Sequence, residues 1–217
     1  GIFNGFLVQK IKLPPFIATM GTMYAARGLC TGYTKGVSVY PLPEKFLGVG
    51  QGGIPIGGYE LPYVIVIALV MAVIAGFVLR YTAYGRRLFA AGGNGEAARL
   101  AGIPTVRIRF SAFVLTGILA ALTGVLMASR VGSAQPNIGS GFEMTVVAAC
   151  VIGGINMDGG AGSIIGVVMG SFFMAMISNG MTLIKIDAYW QQLVIGLVLV
   201  FACSLEYLRN RIRASLN

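Results

Sequence analysis

The chain carries seven carboxylates and no histidine, and this limits the chemistry open to it. Without histidine there is no Ser-His-Asp or Cys-His catalysis and no His-bearing zinc site. An intramembrane aspartyl protease needs two acids facing each other within spans, whereas Asp158 and Asp187 fall at loops. Asp158, in a glycine-flanked stretch, reads as a turn residue. Cys30, Cys150 and Cys203 are far apart in apolar runs, form no CxxC pair and read as small packing residues. Glu143 is the acid of most interest, two residues after Gly141 at the mouth of an apolar run. An ionisable group at membrane depth faces a cavity or a partner; at the interface it is simply a hydrated carboxylate. Both readings stand for Glu143. It is also the single plausible group for coupling transport to protons, which leaves an ion-coupled secondary transporter as a rival with little support.

The elements that must position these groups are membrane helices. Of 217 residues, 56% are hydrophobic and 11% charged, against about 25% charged in a soluble domain. A helix crosses a bilayer core of about 30 Å with roughly 20 apolar residues. Residues 1–8 read as the end of a helix, and Pro14-Pro15 opens a stretch to about Tyr33, since proline suits a first helical turn. Residues 34–60 are polar and Gly/Pro-rich, a connecting loop with room for a short surface helix. Spans follow over Pro62–Leu79 and Phe110–Ala128. A polar break, Arg130–Gly141, precedes a short apolar run, Phe142–Ile155, that reads as full, tilted, broken or re-entrant. After Asn156–Gly160 come spans over Ala161–Leu183 and Tyr189–Leu208. The fold class is therefore all-α, a polytopic transmembrane helical bundle forming one domain over 1–217. Tyr189 and Trp190 suit the interfacial aromatic belt, and Arg27 suits snorkelling to the outer surface. The start, Gly1-Ile2-Phe3-Asn4-Gly5, lacks an initiator Met and a signal peptide, as expected of a piece of a longer chain.

The net charge is +9. Arg80, Arg86, Arg87, Arg99, Arg107 and Arg109 crowd one stretch, and Arg209, Arg211 and Arg213 lie near the end. A basic stretch can bind nucleic acid, but between spans it marks the cytoplasmic side, so no nucleic-acid partner is expected. Lys10, Lys12, the loop at about 80–109 and the C-terminal arginines then all lie in the cytoplasm. Gly162, Gly166 and Gly170 recur every four residues, and Gly117 and Gly124 are seven apart, the small-residue spacing of closely packed helices.

Within the arginine-rich loop, residues 90–104 carry the pattern of a very short helix. Asn94 suits an N-cap, and Glu96 falls in the first turn, where the dipole favours an anion. Ala97 and Ala98 are strong helix formers. Arg99 suits the last turn, Gly102 the left-handed position beyond it, and Pro104 stops continuation. So short a helix is not stable alone, since about 12–15 residues are marginal in water. It docks on its own protein or on a cytoplasmic partner.

The segment Gly92-Gly93-Asn94-Gly95-Glu96-Ala97-Ala98-Arg99-Leu100-Ala101-Gly102-Ile103 resembles the cytoplasmic signature of permease subunits in ribose-type (ribose, xylose, arabinose, galactoside) ABC sugar importers. The resemblance continues, in order, through Lys12–Met23, Ala26–Leu29, Ser133–Pro136, Gly139–Glu143, Val151–Gly154 and Gly159–Gly162. It implies a paired permease, a second copy or a homologue, in the bacterial cytoplasmic (inner) membrane, where the basic clusters put the C-terminus on the cytoplasmic side. It implies a separate cytoplasmic ATPase and an extracytoplasmic sugar-binding protein. Gly92, Gly93, Asn94, Glu96, Ala97, Arg99 and Gly102 would be the residues that couple to the ATPase. The chain has no Walker A pattern, which agrees with a separate energising subunit; no enzymatic activity and no cofactor are expected of a transport subunit. Family members carry further N-terminal spans, so part of the fold is expected outside this sequence. A neutral sugar needs amides, hydroxyls and aromatic faces along its path, which makes Asn137, Phe142, Glu143, Asn179 and Gln191 the pathway candidates. Buried amides, Gln192 included, equally glue helices together.

Overall fold

The structure, a computed structural model, describes residues 1–215, without the side chains of residues 56, 188 and 205–215. In chain order the elements are α1 (Ile2–Gln9), α2 (Pro15–Thr34), α3 (Glu44–Gln51), β1 (Gly53–Ile56), β2 (Tyr59–Pro62), α4 (Tyr63–Tyr81), α5 (Ala83–Gly93), α6 (Gly95–Leu100), α7 (Thr105–Val131), α8 (Phe142–Ile152), α9 (Ile164–Leu183) and α10 (Ala188–Ser215). The chain is an all-α membrane protein. Among the described residues, α4, α7 and α9 are long and apolar enough to cross a bilayer. Helix α2 has the length, at 20 residues, but Arg27 and its threonines dilute its apolarity. In α10 the described apolar run is Tyr189–Ser204. The side chains of Arg209, Arg211 and Arg213 lie outside the described residues.

The chain folds as two compact units. The first comprises Gly1–Ile74 and Ala98–Gly139. Here a glycine on each side lets α1 lie close on α7: a Cβ on Gly5 would strike the Phe110 ring, and one on Gly117 would come within 2.7 Å of Gly1. Gly124, one heptad further along α7, meets nothing. Helix α3 is held to α7 through Ser129, which is fully buried. Its Oγ accepts from Gly50 N at 2.8 Å and donates to the Phe46 carbonyl at 2.5 Å. Gly50 has to be glycine there, since a Cβ would collide with the backbone at Ser129 and Arg130. The 34–60 segment also contains the antiparallel β1–β2 hairpin, which the sequence reading missed. Gly57 and Gly58 form its two-residue turn, both at positive φ (57° and 93°), as a primed hairpin turn requires.

The second unit comprises Ala75–Ala97 and the chain from Ser140 onward. Its core is Ala148, Ala149 and Met174, with Ile177, Ile195 and Val198 packed around them. Helices α8 and α9 form an antiparallel hairpin in which Gly166 abuts the carbonyl of Gly153 and Gly170 that of Ala149. Two of the three glycines spaced by four thus serve helix packing. Gly162 precedes α9 and packs on Ile155. At 11 residues, α8 is about 16 Å long and cannot cross the bilayer unaided.

Candidate functional site

Residues 83–93, read as loop, are helical. Thr82 caps α5, its Oγ accepting from Gly85 N at 3.3 Å while donating to the Val78 carbonyl at 2.6 Å. Asn94 then performs two tasks. Its N–H bonds the Ala90 carbonyl at 3.2 Å, closing α5, and its Oδ1 accepts from Glu96 N (3.1 Å) and Ala97 N (2.9 Å), opening α6. The six-residue α6 ends in a Schellman motif. Gly102, at φ 80°, donates to Arg99 O at 3.0 Å, and Ile103 N to Ala98 O at 3.0 Å. Cap, acidic first turn, basic last turn, left-handed glycine and proline stop all fall where the sequence pattern puts them.

Docking of α6 is divided. Ala98 is buried, whereas Glu96, Ala97, Arg99 and Leu100 are exposed, Leu100 at 82%. Leu100 is thus an exposed apolar side chain in a helix that also exposes Glu96 and Arg99. Sequence reasoning passed over Leu100, although a leucine in a polar loop helix is a legible signal.

The glycines just before Asn94 have a partner. Gly92 and Gly93 meet Gly159 and Gly160 backbone to backbone, in the turn joining α8 to α9. A Cβ on Gly92 would lie 2.6 Å from Gly160 N, and one on Gly160 would fall on Gly93. Gly159 and Gly160 hold φ of 94° and 79°. Asn156 braces the turn: its Oδ1 accepts from Asp158 N at 2.9 Å, its carbonyl from Gly159 N at 3.0 Å, and its N–H bonds Ala161 O at 3.0 Å. Asp158 itself is an exposed turn residue. The Sγ of Cys203, in α10, lies 3.7 Å from the sulfur of Met157 in the same turn.

The pathway candidates divide between the units. Asn137 sits in the bend after α7, in the first unit. The others share the end of the second unit away from the glycine contact. Phe142 and Glu143 open α8, and with Gly170 level with Ala149 the antiparallel register brings Glu143 level with Met176, within a turn of Asn179. Phe142 and Asn179 are exposed and Glu143 half-buried. Gln191 is engaged locally, its Nε2 donating to the Ile186 carbonyl at 3.1 Å and towards Thr182 Oγ at 3.4 Å, so it ties α9 to α10. A groove of about 220 Å³ between α4 and α7, lined by residues that include Ile67, Met71, Leu122, Leu126 and Arg130, contains none of the candidates. Among the described residues, no three His, Cys, Asp or Glu gather as metal ligands would.

Apolar spans joined by a short capped helix agree with a membrane permease. The chain belongs to the family described as branched-chain amino acid transport system / permease component, whose model matches residues 1–203. It is 34% identical over 212 residues to the galactose/methyl galactoside import permease protein MglC of Haemophilus influenzae, covering 96% of this chain and 63% of that one. To the L-arabinose transport system permease protein AraH of Escherichia coli K12 it is 39% identical over 199 residues, 92% of this chain and 60% of that one. To the autoinducer 2 import system permease protein LsrC of Salmonella paratyphi B it is 38% identical over 208 residues, 92% and 57% respectively. The chain therefore spans less than two thirds of the length of these curated relatives. No solved structure matches it.

Proposed function

We propose that this chain forms most of the membrane subunit of an ABC importer that carries a monosaccharide, a pentose or hexose, across the bacterial cytoplasmic membrane. It is the permease, without enzymatic activity. A separate cytoplasmic ATPase drives it, an extracytoplasmic binding protein delivers the sugar, and a second permease copy or homologue completes the path. The observation that carries the reading is α6, a helix closed at both ends with Glu96, Arg99 and Leu100 turned outward. Its presence in a chain 34% and 39% identical to permeases named for galactose/methyl galactoside and L-arabinose supports sugar as the cargo. Asn94, Glu96, Ala97, Arg99 and Gly102 make the coupling helix, with Gly92 and Gly93 as its hinge.

Topology supports the same reading. With the arginine-rich segment cytoplasmic, the turn at Gly159–Gly160 is cytoplasmic too, because it touches Gly92–Gly93. The chain must then cross between α7 and that turn, with α8 covering about 16 Å and residues 132–141 the rest. Helix α9 leads outward and α10 returns, and the contact of Cys203 with Met157 supports α10 ending on the cytoplasmic side. Twelve residues along α9 from Ile164, the level of Glu143 is about 18 Å in, past the bilayer midplane. Phe142, Glu143 and Asn179 would face the sugar from there, whereas Gln191 serves chiefly to hold the α9–α10 turn.

The test is co-purification of the intact permease with its ATPase in detergent, wild type against a Glu96→Lys, Gly102→Pro double variant. A stable wild-type complex that the inserted variant loses is expected. Equal binding by the variant, or sugar uptake abolished by a proton uncoupler while ATP is plentiful, would refute the reading.

A further inference from the structure

The contact between Gly92–Gly93 and Gly159–Gly160 joins the hinge of the coupling helix to the closed end of the α8–α9 hairpin. Three observations define what this contact can do. First, it is made by backbone alone: any side chain at Gly92 or Gly160 would force it apart. Nothing soft lies between the two segments to absorb a displacement, and close-packed contacts pass strain on where a flexible side chain would yield. Second, the receiving turn is braced by the three Asn156 hydrogen bonds within residues 156–161. Third, α8 and α9 behave as one body, since Gly153 against Gly166 and Ala149 against Gly170 leave no room for sliding, and Ala148, Ala149 and Met174 close the core between them. The far end of that body, about 16 Å away along α8, bears Phe142 and Glu143.

We propose that the Asn156–Gly160 turn is the receiver of the coupling helix, with Gly159 and Gly160 as positioning residues. Motion of α6 is delivered through the glycine contact to the α8–α9 hairpin, which shifts as a unit and changes the exposure of Phe142 and Glu143. This rests on the reading of α6 as the ATPase-coupling helix. It adds the route by which the motion enters the spans.

The fold supplies a matched control. Gly160 and Gly154 lie in the same connection, at φ of 79° and 80°, so alanine strains the backbone equally at either. They differ in contact, for a Cβ on Gly154 meets nothing within 4 Å. Gly92, inside α5, tests the contact from the other side without positive φ, and carries the test if Gly160→Ala fails to insert.

The experiment uses the intact permease with its ATPase in nanodiscs, with Cys30, Cys150 and Cys203 replaced by serine and Phe142→Cys as the reporter. The rate of maleimide labelling is compared without nucleotide and after trapping with ATP and vanadate, so no knowledge of the sugar is needed. The expected result is a nucleotide-dependent rate in the reporter background that is kept by Gly154→Ala and lost in Gly92→Ala and Gly160→Ala, with the ATPase still bound to Gly154→Ala and Gly160→Ala. A response that survives in Gly92→Ala or Gly160→Ala overturns the relay and leaves the coupling helix standing. So does a reporter that ignores nucleotide while the ATPase is bound. Failure of the unsubstituted permease to retain the ATPase would instead remove the coupling reading itself.

Discussion

Asn94→Ala isolates the contribution of one side-chain oxygen to the proposed coupling helix. That oxygen accepts two of the amide protons that α6 cannot satisfy internally, from Glu96 and Ala97. Loss of an Asn N-cap costs about 1 kcal/mol, within a range of about 0.5–2. In a long helix the cost would be shared with many other contacts. Here the helix has six residues, with Ala98 its one buried side chain, so little else holds it. The folded fraction of α6 falls accordingly, and the apparent ATPase affinity falls by the same fraction. About 1 kcal/mol is at most roughly fivefold in Kd, the full effect being reached where α6 is mostly unfolded before the ATPase binds. Asn94→Asp and Asn94→Ser keep an acceptor at the cap and should stay within about twofold of wild type. Two readouts check this: ATPase binding to the intact permease in nanodiscs by interferometry, and hydrogen exchange at the Glu96 and Ala97 amides without the ATPase. Unchanged affinity and exchange in Asn94→Ala would refute the reasoning, as would Asn94→Asp behaving like alanine.

Leu100→Glu should weaken ATPase binding at least as much as Asn94→Ala while leaving membrane insertion and the Glu96 amide exchange unchanged, because it removes contact and not helix. Ser129→Ala leaves Gly50 N–H buried without its acceptor, and a drop in stability of about 1–3 kcal/mol is expected from denaturant titration in detergent. Gly170→Ala and Gly124→Ala should part company in a thermal-stability assay. The first drives a methyl into the Ala149 carbonyl and should cost about 1–3 kcal/mol or more. The second meets open space and should be neutral or stabilising by about 0.5–1 kcal/mol.

How much of this was legible in the sequence depended on the range of the interaction. Helix α6 was readable residue by residue because its determinants lie within ten residues: cap, charges, αL glycine and proline. The spans were readable because the bilayer imposes length and apolarity. Helix α5 was not, because Arg86 and Arg87 gave it the look of a loop, and its cap, Thr82, adjoins the end of α4. The β1–β2 hairpin was hidden by four-residue strands holding Pro55 and Pro62. The shortness of α8 was visible as a weak apolar run, but its cause, the glycine break at Gly153–Gly154, looked like any other small-residue pair. Least legible was the meeting of Gly92–Gly93 with Gly159–Gly160. Glycine pairs far apart in sequence carry no mark of each other, and only the folded backbone shows that each is small for the other's sake.

The short α8 also bears on how the protein is made. A ribosome delivers Phe142–Ile152 before Ile164–Leu183, and 11 residues are too few to be held in lipid as a span. The segment gains its place when α9 follows and the two enter together, backbone already hydrogen-bonded within each helix. Lipid offers apolar helices no hydrophobic reason to stay paired, so the glycine seams act as the latch that keeps a newly inserted α8 from slipping back to water. A mutation in those seams would then lower the amount of inserted permease as well as its thermal stability.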